Sequence, residues 1–270
     1  MLHAQGKTWK LYNGDSLFVL ADLERERVRV DALITDPPYS SGGAFRGDRT
    51  LDTRKKYLSS DSAQAEYLPN FAGDNRDQRS FTIWLGEIAA RATRVMLPGS
   101  PACVFSDWRQ VGAVCDALQV GGFILRGIHP WLKPPGSSRP RMGWFWNPGE
   151  FIAVGTLGPM PTDRPGIGCL PGYVTEASSR DREHVTEKPP RVCAWLVSVV
   201  THGGTVLDPF AGSGAIGEAA LLSGRQYIGI ETEPAYLDIA ARRLESIEAA
   251  GVQIGLPMGQ DEEREQTTLL

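Results

Sequence analysis

The chain has 270 residues, 41% of them hydrophobic, which suits one large α/β domain or a core with an inserted lobe better than two independent domains. Its 28 basic and 32 acidic side chains leave a formal charge of −4, which neither requires nor excludes a nucleic-acid partner, because such binding depends on local basic patches. No apolar run approaches the length of a membrane span, so a soluble protein with no membrane partner is expected.

In chain order, short apolar runs at 8–13, 31–36, 101–107, 123–132, 150–156, 205–210 and 226–232 predict strands. Helical periodicity occupies 81–97, 109–120, 190–201, 214–224 and 234–249. Alternation of this kind predicts a doubly wound, mostly parallel, seven-stranded sheet of the Rossmann-like class, covered by helices on both faces. Two stretches interrupt it: 40–80, rich in Ser, Gly, Asp and Arg, and 157–188, rich in Pro and Gly. The acidic tail 257–270 has no apolar face and is expected to be disordered.

Cys103, Cys115, Cys169 and Cys193 are scattered, with no Cys-x-x-Cys pair, and no secretory leader is expected. Reduced thiols in a cytoplasmic protein are expected, three of them in the core. His3, His129, His184 and His202 share no metal-ligand spacing with one another or with the cysteines, so no metal is expected.

The stretch ITDPPYSSGG at 34–43 places Asp36 at the carboxyl end of an apolar strand, where open α/β sheets bind ligands. Pro37 and Pro38 stiffen the turn and donate no N–H. The Asp36 carboxylate and the Pro37 carbonyl can then face one cleft as acceptors beside the flat ring of Tyr39, a site suited to a planar group bearing an NH2. Taken alone, Asp-Pro-Pro is as readily an ordinary turn that ends a strand.

Residues 205–217, TVLDPFAGSGAIG, run from a strand through a glycine turn into a helix; Gly212, Gly214 and Gly217 fit G-x-G-x-x-G, and Glu231 ends the next strand. Those features alone match an NAD site. The motif lies in the last quarter of the chain, however, leaving room for one further strand, whereas a dinucleotide needs two mononucleotide halves. A smaller adenosine with an amino-acid tail, S-adenosylmethionine, fits better, and its sulfonium favours neighbours such as Asp208 and Phe210.

DPPY at 36–39, TEKPP at 186–190 and DPFAGSG at 208–214, with NGD at 13–15 and IGIETEPAYLDIAARRL at 228–244, resemble the permuted β class of amino-group DNA methyltransferases from about residue 8 to 248. The resemblance implies a single methyltransferase domain over 1–256, with a catalytic half at 8–134, a target-recognition region at about 135–188 and a cofactor half at 189–250. It implies S-adenosylmethionine as cofactor and a target base flipped out of double-stranded DNA. Asp36 and the Pro37 carbonyl would accept the target amino hydrogens, Tyr39 would stack on the base and Pro38 completes the catalytic turn. Of the cofactor residues, Phe210, Ala211, Gly212 and Gly214 would line the methionine side beside Asp208, Lys188 would help hold the methionine end, Glu231 would take the ribose hydroxyls and Asp15 the adenine edge. Asp15 reads equally well as a turn residue. The segment HVTEKP departs from the family's His-Pro-Thr-Gln-Lys-Pro type at Val185 and Glu187, so no role is carried over to His184 or Glu187.

Basic and aromatic side chains interleave over 126–146, where Arg126, Lys133, Arg139 and Arg141 accompany Trp131, Trp144, Phe145 and Trp146. Lys133, Arg139 and Arg141, with Arg46 and Arg49 of the loop after DPPY, are the expected DNA contacts, while Trp131 is a candidate core residue. N6 of adenine is the favoured target, since the family leans to adenine when Asp opens this motif. N4 of cytosine, an NAD-dependent oxidoreductase and a DNA-binding module without catalysis are the alternatives. The family also makes a homodimer plausible, and a phage or restriction-modification setting fits the compact size.

Overall fold

The computed structural model describes residues 1–40, 76–134, 142–143, 145, 147, 149–161, 164, 166–178 and 188–251. Its strands are β1 (Leu2–Gln5), β2 (Trp9–Asn13), β3 (Ala32–Thr35), β4 (Pro101–Ser106), β5 (Ile124–Leu132), β6 (Gly149–Thr156), β7 (Val174–Thr175), β8 (Thr205–Asp208) and β9 (Gln226–Glu231). Its helices are α1 (Ser16–Arg25), α2 (Gln78–Thr93), α3 (Val111–Val120), α4 (Pro190–Val197), α5 (Ala215–Leu222) and α6 (Pro234–Ala250). Each expected strand and helix forms, with ends shifted by a few residues. Among the described residues the sheet has nine strands rather than seven, because β1 and the two-residue β7 extend its edges. Both are too short, and β1 too exposed, to leave an apolar period.

The missing helix in the sequence reading is α1. Its buried residues, Ser16, Val19, Leu20 and Leu23, follow helical spacing, but one of them is a serine and the large Phe18 points to solvent, which blurs the apolar stripe. Asp15 starts the helix by accepting the Leu17 N–H at 2.8 Å.

The strand order is β1-β2-β9-β8-β3-β4-β6-β5-β7. The five strands from β2 to β4 are parallel, and β6 runs antiparallel to both β4 and β5. Alternate residues feed two cores. Ala32 and Ile34 of β3 pack with α4, α5 and α6 on one face, while Leu33 packs with α1, α2 and α3 on the other. β8 is followed by a helix on the first face and β3 by a helix on the second. The chain therefore diverges beyond the carboxyl ends of these neighbouring strands, leaving the crevice that doubly wound sheets use for ligands. Asp36 immediately follows β3, and Asp208 is the last residue of β8.

Cys103, Cys115 and Cys193 are buried and Cys169 is exposed, as expected. Among the described residues no helix is long and apolar enough to cross a membrane. The tail 257–270 and the loop 41–75 lie outside the described residues.

Candidate active site

The turn after β3 is held from both sides. Thr35 donates its hydroxyl to Asp208 Oδ1 at 2.6 Å, tying the ends of β3 and β8 together. Past Tyr39 the chain enters Ser40 with φ +52, a left-handed conformation that costs a serine energy unless its surroundings enforce it. They do: Ser40 is fully buried, its carbonyl accepts from Gln110 Nε2 at 3.1 Å and its hydroxyl oxygen accepts from the Arg76 N–H at 3.3 Å. Asp36, Pro37, Pro38 and Tyr39 thus leave the strand in one enforced path.

Asp36 sits in a buried charge cluster drawn from distant parts of the chain. Lys188, 5% exposed just before α4, donates to Asp36 Oδ2 at 2.6 Å and lies 3.5 Å from Glu150 Oε2. Glu150, at the start of β6, accepts the Tyr39 hydroxyl at 2.7 Å on Oε2 and Lys133 Nζ at 2.8 Å on Oε1. The Lys188 ammonium also lies over the rings of Tyr39 and Phe105, 5.0 and 5.2 Å from their centroids. Two carboxylates and two ammonium groups balance, which is what makes burial of all four tolerable. The remaining oxygen of Asp36, Oδ1, is buried and has no hydrogen-bond partner among the described residues. An acceptor in that state costs stability unless something supplies a donor.

The electrostatics follow from this packing. Burial raises the Asp36 carboxyl above its ordinary value against the opposing pull of Lys188. Burial also works against the charge of Glu150, but Lys188 and Lys133 override it and hold the carboxyl down at about 2. For Lys188, burial is outweighed by Asp36 and Glu150, which raise its pKa. Burial and the two neighbouring carboxylates push the Tyr39 phenol well above its usual range, so it remains a donor.

The glycine turn after β8 forms the other wall. Gly212 and Gly214 have φ of +49 and +82, and Gly214 starts α5. Gly217 lets α5 lie against β9, since a Cβ there would stand 2.7 Å from the Tyr227 ring. Glu231 accepts the Gly212 N–H at 3.0 Å and the Thr232 and Glu233 N–H groups at 2.7 and 3.0 Å. Asp15 belongs to the same edge: Asn13 donates to the carbonyls of Glu231 and Thr232, and the Gly14 N–H donates to the Glu231 carbonyl. Asp208 is enclosed, accepting from Thr35, from Tyr227 at 3.0 Å and from the Phe210 N–H at 3.1 Å; burial pushes its carboxyl up to about 7. Phe210 lies against Trp84 with ring centroids 5.2 Å apart, Ala211 is buried, and Arg76 stacks over Trp84 at 4.0 Å.

The fold brings together Asp36, Pro37, Pro38, Tyr39 and Lys188 at one mouth, and Asp15, Phe210, Ala211, Gly212, Gly214 and Glu231 along the adjoining edge. Lys133, expected at DNA, has its ammonium on Glu150 and over the Trp131 ring at 4.7 Å, because β5 and β6 pair Trp131 with Glu150 directly. Trp131 is core, 2% exposed, and Arg126 donates to Thr156 and the Gly158 carbonyl. Phe145 is exposed. Arg46, Arg49, Arg139, Arg141, Trp144, Trp146 and His184–Glu187 lie outside the described residues. The sequence reading missed Glu150, whose one visible signal is an acid at the head of an apolar strand, and it missed Gln110 and Tyr227 entirely.

The DNA methylase family profile for N6 and N4 enzymes matches residues 167–242. The type II methyltransferase M2.DpnII of Streptococcus pneumoniae is 43% identical over 254 residues, covering 87% of this chain and 89% of its own. Among solved structures, M1.HpyAVI in complex with SAM superposes with a TM-score of 0.63 at 22% identity, covering 87% of this chain and 98% of that one. The cytosine-N4-specific PvuII DNA methyltransferase does so with a TM-score of 0.62 at 16% identity, covering 91% and 92%. With the fold, the site and the relatives in agreement, the chain belongs to the amino-group DNA methylases of the N6-adenine and N4-cytosine family, which take their methyl group from S-adenosylmethionine.

Proposed function

We propose that this methylase modifies the N6 amino group of adenine in double-stranded DNA, and that Asp36, Pro37, Pro38 and Tyr39 form its catalytic turn. The observation that carries the reading is the buried Oδ1 of Asp36, without a hydrogen-bond partner among the described residues, in a stiff turn beside the Tyr39 ring. An exocyclic amine is a weak nucleophile because its lone pair is delocalised into the base. Asp36 Oδ1 and the Pro37 carbonyl hold its two hydrogens, favouring a pyramidal nitrogen, while Tyr39 stacks on the flipped base. Catalysis of this kind is positioning and electrostatic preorganisation by the turn.

The residues along the adjoining edge fit S-adenosylmethionine. Gly212 and Gly214 present bare backbone in left-handed conformations, and a carboxylate, Glu231, ends β9 beside them. When bound, the cofactor supplies an electrophilic methyl group. Gly212, Gly214, Phe210 and Ala211 hold its methionine side with Asp208 supporting the turn, Glu231 takes the ribose hydroxyls, and Asp15 reaches the adenine edge while capping α1. Lys188 serves mainly through Asp36, to which its ammonium is bonded.

Residues 1–256 act as one domain, with target recognition in the 135–188 region. Arg46, Arg49, Arg139 and Arg141 supply DNA contacts. Changing Arg139 and Arg141 together to Ala is expected to weaken DNA binding and make the dependence of log affinity on log salt shallower, by a slope of about 0.9 per lost phosphate contact. A salt titration of duplex binding by fluorescence anisotropy checks this, and a double variant with the parent's affinity and slope removes the patch.

The test of the reaction itself is transfer of labelled methyl to mixed-sequence duplex DNA, followed by digestion and identification of the labelled nucleoside. Label in N6-methyl-2′-deoxyadenosine is expected. N4-methylcytosine is the second reading, since that amine presents the same two hydrogens to Asp36 and Pro37 and the fold is shared with a cytosine-N4-specific enzyme. Label there keeps the catalytic turn and changes the base.

A further inference from the structure

Glu150 belongs to none of the motifs that identify the family reading, and it reaches the catalytic turn from 111 residues away. Its two oxygens are divided. Oε1 is occupied by Lys133 at 2.8 Å, while Oε2 holds the Tyr39 hydroxyl at 2.7 Å and faces Lys188 at 3.5 Å. A carboxylate that served only to fasten β6 to its neighbours would be satisfied by Lys133 alone. Instead it touches both groups that govern the turn: the ring beside the base site and the cation bound to Asp36.

Each contact has a consequence. The hydrogen bond to the Tyr39 hydroxyl pins the far end of the ring, fixes the direction of its long axis and so places the wall against which a base would lie. The attraction for Lys188 competes with Asp36 for the same ammonium, so the Asp36 carboxylate is less neutralised by it and is the more basic, stronger acceptor. That charge is what an amino group needs as it gains positive character at nitrogen. We propose that Glu150 is a positioning residue for methyl transfer, orienting Tyr39 and dividing Lys188 between two carboxylates so that Asp36 remains a strong acceptor. This rests on the reading of Asp36 as the acceptor of the target amine.

The experiment compares the full-length parent with Glu150→Gln, Tyr39→Phe and Asp36→Ala in single-turnover methyl transfer to mixed-sequence duplex DNA across roughly pH 5 to 9. S-adenosylmethionine affinity and thermal unfolding are measured on the same samples. The charged and titratable groups facing Asp36 are Lys188 ahead of α4, Glu150 on β6, Tyr39 in its own turn and Asp208 at the end of β8. Glu150→Gln removes the one repelling carboxylate that lies on Lys188 and turns that ammonium wholly to Asp36. Its plateau rate is expected to fall about 10- to 100-fold, the scale of a misplaced reacting group. The acid limb of its profile moves to lower pH, because Asp36 then ionises more easily. Cofactor affinity stays within about threefold. Tyr39→Phe keeps the ring and all four charges but removes the small lowering pull of the phenol on Asp36, so its rate falls less and its acid limb shifts slightly to higher pH, opposite to that of Glu150→Gln.

A Glu150→Gln protein whose rate and acid limb match the parent overturns the proposal, and so does one whose rate falls with the limb unmoved, which marks a merely structural role. Should the single variant unfold, the pair Glu150→Gln with Lys133→Met removes one charge of each sign, leaves Lys188 on Asp36 and carries the same expected shift. Failure of the underlying reading looks different: Asp36→Ala then transfers at the parent rate, whatever Glu150→Gln does.

Discussion

Replacing Asp36 with alanine is expected to lower methyl transfer by about 10³-fold or more while leaving S-adenosylmethionine affinity within a few-fold. The side chain offers the amine a buried acceptor that water does not reach, and the variant leaves the Pro37 carbonyl as the only remaining member of the pair. The glycine turn and Glu231 form their bonds without Asp36, so cofactor binding survives. The fold is expected to survive as well, because Lys188 retains Glu150 as a partner at 3.5 Å. Isothermal titration with the cofactor and single-turnover transfer on the same preparation separate the two effects. A variant that transfers at the parent rate removes Asp36 from the mechanism.

Lys188→Met is expected to damage both the chemistry and the fold. It strips two buried carboxylates of a shared cation, and breaking a buried pair by deleting one partner costs about 3–5 kcal/mol. For a chain of this size that lowers Tm by about 10 °C. The sign of the pH dependence follows from the ionisation. Without the ammonium, Asp36, already raised by burial, moves further above its unfolded value, and Glu150 is released upward from about 2 while Lys133 still holds it down. A carboxyl raised in this way loses stability as pH rises from the unfolded value, near 4, toward the folded one. The deficit against the parent therefore opens as pH rises from about 2, where the parent's Glu150 ionises, and is full at and above neutral pH, and thermal melts of both proteins at several pH values measure it. An equal deficit at every pH would mean that Lys188 matters for packing and not for charge.

How much of this was legible depends on how far apart the interacting residues lie along the chain. Apolar runs bounded by Pro, Gly and Asp mark their strands locally, since burial on both faces of a parallel sheet demands a continuous run. For the same reason Asp36 and the glycines of 212–217 stand out: a stiff proline turn and a glycine turn leading into a helix are short-range chemistry. α1 was not legible, because its stripe is broken by exposed Phe18 and completed by Ser16, whose hydroxyl is satisfied by the distant Pro209 carbonyl, at 2.6 Å. Sequence order alone also placed the DPPY turn ahead of the glycine turn, and hence the permuted arrangement. What only the tertiary structure decided is the environment of Asp36. Lys188 lies 152 residues from Asp36, and Glu150 lies 111 from Tyr39. They meet because β6 enters antiparallel beside β4 while α4 starts at the same end of the sheet. Lys133 illustrates the limit most directly: along the chain it is one of several basic residues among tryptophans, and strand pairing turns its charge inward. Local sequence specifies backbone path and burial period, whereas the partner of a long charged side chain is set by which strands become neighbours.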